Sequence, residues 1–196
     1  LRMIEQAGEP QAVLVTREEG GFEPALADLV ARGERRPQGH LLAQSLATHV
    51  GSREALTARW RRVVRIATHP ERRRQGLGQT LLDEDMAAAK QQGVALYGAT
   101  FGAEASLLRF WLALGFTPLR LGMTRETSTG EFAVMVAKAL TSEGEAVLGD
   151  LRERFQMALP ALLAFELKAL PAEVLVVLLA QMPSMPLSDR ECQDIE

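Results

Sequence analysis

The sequence predicts an α/β layered domain followed by a helical extension, and three observations predict it. Between residues 61 and 139, short strand-like runs rich in β-branched residues alternate with segments of helical period. Gly93 and Gly115 stand where the helical segments end and the next strands begin. After residue 140 the strands cease and the charge reverses: residues 1–138 hold 18 basic and 15 acidic side chains, residues 139–196 hold 4 and 10. The domain is therefore read at 1–139 and the extension at 140–196. A chain of 196 residues, 47% apolar and 24% charged, is not a disordered segment, a collagen-like fibre or a disulfide scaffold.

Taken in order, Leu1–Glu5 and Ala12–Thr16 flank the turn signal Ala7-Gly8-Glu9-Pro10 and read as a β-hairpin. Glu23–Arg32 and Leu41–Thr48 read as helices. Arg61–Thr68, with Val63, Val64 and Ile66, is a strand, and residues 70–76 form a basic loop ending in glycine. Leu81, Leu82, Met86 and Ala89 recur at helical spacing between Gly78 and Gln92. Val94–Phe101 is a strand, Glu104–Leu114 a helix, and Phe116–Leu121 and Phe132–Ala139 two further strands. Ser142–Leu159, Pro160–Leu170 and Pro171–Gln181 read as three helices, the last two opened by proline. The polar tail from Pro183 reads as frayed.

Val174–Ala180, the most apolar stretch, is far short of the roughly 20 residues of a membrane span. The single Cys192 forms no internal disulfide, no Cys/His cluster has metal spacing, and the expectation is a cytoplasmic protein without a metal. A start at Leu1, already strand-like, reads as a piece cut from a longer protein.

Eight arginines fall between residues 53 and 74, opposed only by Glu54 and Glu71. They surround the one phosphate-binding pattern of the chain, a strand, a basic loop and a helix start reading Arg73-Arg74-Gln75-Gly76-Leu77-Gly78-Gln79. Glycines there let the backbone approach a ligand, and the first amides of a helix point outward at its positive end, which suits a pyrophosphate. A dinucleotide fingerprint fails because position 81 is Leu81, and no Gly-Lys-Ser/Thr completes a Walker loop. A tight strand-to-helix turn without ligand is the competing reading.

This segment resembles the acetyl-CoA-binding motif of the GNAT acyltransferase superfamily, Arg/Gln-x-x-Gly-x-Gly/Ala opening a long helix. A second signature of that superfamily matches Phe110-Trp111-Leu112-Ala113-Leu114-Gly115-Phe116. Residues 63–70, Phe101-Gly102-Ala103, Leu108-Arg109-Phe110-Trp111, Gly33-Glu34-Arg35-Arg36 and residues 41–46 resemble the acetyltransferase module of the tRNA(Met) cytidine acetyltransferases. The resemblance covers most of residues 1–182. It implies a GNAT fold with a mixed central sheet, whose first strand and two helices would be missing ahead of the hairpin. It also implies acetylation of cytidine at the wobble position of elongator tRNA(Met) with acetyl-CoA. ATP would be used only by the full-length protein, and the helical region after 140 would begin an RNA-binding tail.

By the same resemblance, backbone atoms of Ile66, Ala67 and Thr68 lie along the pantetheine arm, the thioester sits in a splay between neighbouring strands, and Arg73 to Gln79 wrap the pyrophosphate. The sequence departs at Ser106, read as a cofactor contact where the family often has Glu, and at Ala113, where some members have a cofactor-binding Arg. Many GNAT enzymes carry a tyrosine acid at the position of Trp111; the only tyrosine here, Tyr97, reads as core. His69 is the best titratable candidate for proton transfer, its competing role being to cap the loop. Glu104 is a base or, alternatively, a helix cap. Arg35, Arg36, Arg61 and Arg62, with Arg32 and Arg59, are candidate tRNA contacts. The rival functions are a GNAT enzyme acting on a protein or small-molecule amine, and an inactive CoA-binding module.

Overall fold

The structure is a computed structural model and describes residues 1–127 and 130–182; the frayed-tail reading and Cys192 lie outside them. Strands β1 (Arg2–Gln6) and β2 (Glu9–Gly20) form the expected hairpin, followed by helices α1 (Pro24–Ala31), α2 (Leu41–Val50) and the single turn α3 (Glu54–Thr57). Then come β3 (Arg59–Thr68), α4 (Leu77–Gln91), β4 (Leu96–Gly102), α5 (Ala105–Ala113), β5 (Thr117–Arg125) and β6 (Phe132–Ala139). Helices α6 (Ser142–Ala164) and α7 (Ala172–Leu179) complete the described chain.

The six strands make one sheet in the order β1-β2-β3-β4-β6-β5. Every neighbouring pair is antiparallel except β3 and β4. Helices α4, α5 and α7 cover one face, burying Leu81, Leu82, Leu108 and Val174 with Tyr97 and Trp111. Helices α1 to α3 cover the other, burying Leu42, Leu46 and Leu56 against Trp60 and Leu96. Helix α6 serves both: Leu148 and Leu151 join the second cluster, Phe155 and Leu159 the first.

Three differences from the sequence reading have local causes. Strand β2 runs on through Arg17, Glu18 and Glu19 because these polar residues pair in register with Arg62, Arg61 and Trp60. The helices expected at 142–159 and 160–170 become one 23-residue helix containing Pro160, followed by a turn that buries Leu167 and Leu170. Pro160 costs one backbone bond, tolerable beside the final turn. The third is α3, a single turn that the sequence reading left out, which forms because Ala55 and Leu56 are fully buried. Among the described residues no helix is long and apolar enough to cross a membrane.

Candidate active site

Pairing between the parallel strands stops early, with Val63 opposite Ala99 as the last rung. On its other side β3 is bulged: Val15 faces Arg65 and Thr16 faces Val63, leaving Val64 without a partner on β2. A bulge bends its strand and raises the local twist, which here accompanies the separation of β3 from β4. From Arg65 to Thr68 strand β3 pairs with β2 alone, so its inner edge offers unpaired backbone groups.

Ile66, Ala67 and Thr68 on that edge line a cleft of about 530 Å³. Its far wall is Leu107 and Phe110 of α5, and its mouth is Arg72, Arg73, Arg74 and residues 76 to 79. The loop enters α4 through two left-handed residues, Arg74 (φ 61°) and Gly76 (φ 81°). The turn therefore needs glycine at 76, where a side chain would be strained. The helical ladder begins with Thr80 N donating to Gly76 O at 3.0 Å, so the amides of Leu77, Gly78 and Gln79 precede it. A Cβ on Gly78 would lie 3.5 Å from Ile66 Cδ1 and 3.8 Å from Thr68 Oγ1, filling the gap between helix and strand.

Nearly all residues expected to bind cofactor thus converge on one cleft. Two stand outside its lining. Gln75 turns its amide back to Glu71 O at 3.2 Å, and Ser106 donates its hydroxyl to Glu104 Oε2 at 2.6 Å. Conversely, sequence reasoning overlooked Arg72, Leu107 and Phe110 as cleft residues. The spacing of Leu107 and Phe110, one helical turn apart, was an available signal.

Glu104 caps α5, accepting from the amides of Ser106 and Leu107, each at 3.0 Å. The Ser106 hydroxyl and these amides hold its carboxyl below the ordinary range. His69 ends β3 with its amide donating to Gln11 O at 2.8 Å and its carbonyl accepting from Arg72 N at 2.9 Å. Its ring is exposed and outside the cleft lining. Trp111 is buried, stacked on Phe101 with centroids 5.9 Å apart, while Phe110 turns to the cleft. His40 Nδ1 accepts from Gly20 N at 2.9 Å, and burial lowers its pKa.

The structure removes two arginines from those free to meet a polyanion. Arg61 donates to Glu18 Oε1 at 2.9 Å and lies 3.6 Å from Asp85. Arg62 donates to Glu19 Oε1, whose other oxygen accepts from Leu42 N at 2.7 Å and so caps α2. Buried guanidinium groups so paired carry structure, since the pairing offsets their desolvation. Arg35 and Arg36 remain exposed. Among the described residues no cluster of three or more His, Cys, Asp or Glu could hold a metal.

The site thus joins a mixed sheet, splayed at its one parallel pair, to a helix opened by a left-handed glycine. Residues 35–118 match the acetyltransferase (GNAT) domain family, and the chain carries a GNAT acetyltransferase domain. Its relatives include the tRNA(Met) cytidine acetyltransferase TmcA of Nitrosococcus halophilus, 36% identical over 96% of this chain and 26% of that protein. TmcA of Pectobacterium atrosepticum is 41% identical over 70% of the chain and 20% of the relative. TmcA of Pyrococcus furiosus is 33% identical over 72% of the chain and 17% of the relative. The chain thus spans about a quarter or less of the curated relatives it matches. An agmatine N-acetyltransferase superposes with a TM-score of 0.50 at 14% identity, over 70% of this chain and 72% of that one. Chaetomium thermophilum Naa20 does so with the same score and identity, over 70% and 64%. These structures share the fold.

Proposed function

We propose that this chain is the acetyl-transfer module of a tRNA(Met) cytidine acetyltransferase, acetylating the exocyclic amine of the wobble cytidine. The observation that carries the donor half is the cleft itself, with three amides ahead of the α4 ladder and an unpaired β3 edge meeting across Gly78. The acceptor half rests on identity to the TmcA relatives over nearly the whole chain. A cytoplasmic location follows from a tRNA substrate. The ATP requirement implied for the family is assigned to the longer parent.

Acetyl-CoA fits the residues present and would supply the activated thioester. The amides of Leu77, Gly78 and Gln79, with Arg73 and Arg74, would hold its pyrophosphate. Backbone groups of Ile66, Ala67 and Thr68 would pair with the pantetheine amides as an added strand does. The cytidine amine is conjugated with its ring and weakly nucleophilic, so positioning carries much of the acceleration. His69, at the end of the donor edge, is the titratable group assigned to proton transfer. Glu104 is assigned to capping, because its carboxylate is already occupied by three donors.

Calorimetric titration with acetyl-CoA tests the donor half, and saturable binding that Gly78→Val abolishes is expected. The chain alone is expected to modify a tRNA(Met) transcript poorly while the full-length parent modifies it well. Absence of acetyl-CoA binding overturns the donor assignment, and robust acetylation by this chain alone overturns the dependence on the parent.

A further inference from the structure

The mechanism above leaves one cation unexplained. Arg120 lies on β5, opposite Met135, where the register skips Leu119. Its Nε is buried without a hydrogen-bond partner, and burial lowers its pKa. Arg61 and Arg62, with side chains 10% and 14% exposed, are each matched to a carboxylate. Among the described residues Arg120 has no ion pair. A buried Nε left without an acceptor is a standing cost to the fold, of the kind retained at binding sites.

Its surroundings hold cations and no carboxylate. A cavity of about 300 Å³ runs between residues 36–40 and the exposed stripe of α2, lined by Arg36, Gln44, Ser45, Thr48 and His49. An adjoining depression of about 100 Å³ lies between the end of α2, β5 and α6; apolar side chains such as Leu121, Met123, Phe155 and Leu162 form most of its wall, and His49, Arg120 and Arg154 are the polar groups in it. His49 belongs to both, and neither is lined by Asp or Glu. Arg154 is neutralised by Asp150 at 2.8 Å, which leaves Arg36 and Arg120 as the uncompensated charges. Burial, then the nearby Arg120 and Arg36 cations, lower the His49 pKa, so the three groups share one field.

The position is suited to an acceptor strand. Thr100, the first residue of β4 beyond its last rung with β3, pairs with Met135, and Met135 pairs with Arg120. Arg120 therefore sits two strand spacings, about 10 Å, from the start of the splay. We propose that the groove formed by Arg36, His49 and Arg120 along α2 binds phosphodiester groups of the RNA whose cytidine enters the splay. The proposal rests on the functional reading above and deepens it by assigning the acceptor surface. Cations spread over two adjoining cavities match the repeated phosphates of a polynucleotide better than the single phosphoryl group of a modified peptide.

The test is fluorescence anisotropy of a labelled tRNA(Met) anticodon stem-loop on this chain across a salt series, beside acetyl-CoA titration and thermal unfolding. Arg120→Met and Arg36→Gln are each expected to weaken RNA binding about tenfold at low salt and to reduce the salt slope by about 1. Acetyl-CoA affinity is expected to stay unchanged. Arg120→Met is expected to hold or raise the melting temperature, whereas a merely structural arginine would lower it; Arg120→Lys should keep most of the affinity. RNA binding and slope unaltered in both variants, no RNA binding by wild type with acetyl-CoA binding intact, or a phosphopeptide bound as tightly as the RNA would each overturn the groove. Loss of acetyl-CoA binding by wild type would instead overturn the reading beneath it.

Discussion

The hydroxyl of Tyr97 donates to Asp85 Oδ2 at 2.9 Å in the interior between β4 and α4. The other carboxylate oxygen faces Arg2 Nε at 2.8 Å and Arg61 Nη1 at 3.6 Å. Burial, reinforced by the Asp85 charge, pushes the Tyr97 pKa far above its ordinary value. The single tyrosine of the chain is thus fixed in a structural network.

Tyr97→Phe should therefore cost stability and spare chemistry. It strips Asp85 Oδ2 of its donor, a loss of about 1–3 kcal/mol, measurable by urea denaturation. Acetyl transfer by the full-length parent carrying the change should keep its kcat. A fall in kcat with unchanged stability would give Tyr97 a catalytic role.

Gly78→Ala should move stability and binding in opposite directions. Alanine at an early helical position is favoured over glycine by about 0.5–1 kcal/mol, and its methyl meets Ile66 Cδ1 at an ordinary 3.5 Å. The same methyl intrudes on the gap where the pantetheine would run. Raised melting temperature with weakened acetyl-CoA binding is expected, and binding equal to wild type would remove the cleft from the donor path.

Glu104 offers a test through pH. Its folded-state pKa lies below the ordinary 4.5, so the native state favours the ionised cap. Its contribution is therefore complete above about pH 4.5 and fades as pH falls through the lower folded value. Glu104→Ala should lower the melting temperature at neutral pH and converge on wild type as the pH falls well below 4.5. Glu104→Asn, which can cap but not act as a base, should keep both the melting temperature and turnover of the parent; turnover lost with stability kept would make Glu104 the base.

Strand β3, helix α4, strand β4 and helix α5 could be read from the sequence because each has a clean period and a glycine or proline at its boundary. Arg61 and Arg62 could not, since an arginine run reads as a solvated or polyanion-binding face until its partners are known. Those partners, Glu18 and Glu19, come from a segment whose polarity concealed its strand character. Pro160 misled for the opposite reason, a local breaker overruled by apolar residues on both sides that keep α6 on the sheet. The left-handed turn into α4 was legible because glycine spacing encodes backbone geometry directly. The bulge at Val64 was not, being a matter of register between strands some 50 residues apart. Arg120 was passed over because nothing in its neighbours along the chain distinguishes it from a surface arginine.

Helix α6 decides whether residues beyond 139 are an appendage or part of the wall. Thr141 Oγ1 accepts from Gly144 N at 3.1 Å, starting the helix directly against the sheet. A Cβ on Gly144 would lie 2.1 Å from Ala95 O and 2.9 Å from Ala95 C, backbone atoms that cannot swing aside. Gly144→Ala must then lift α6, loosening Leu148 and Leu151 on one face and Phe155 and Leu159 on the other. Overpacking of this kind costs about 1–3 kcal/mol, more than the helix propensity gained. Urea denaturation should show that loss as a single transition, with Leu151→Ala, which empties a fully buried site, losing about 2–5 kcal/mol in the same transition. Two separate transitions, or a Gly144→Ala variant as stable as wild type, would mean that the helical region folds apart from the sheet and that the division at residue 139 is a true domain boundary.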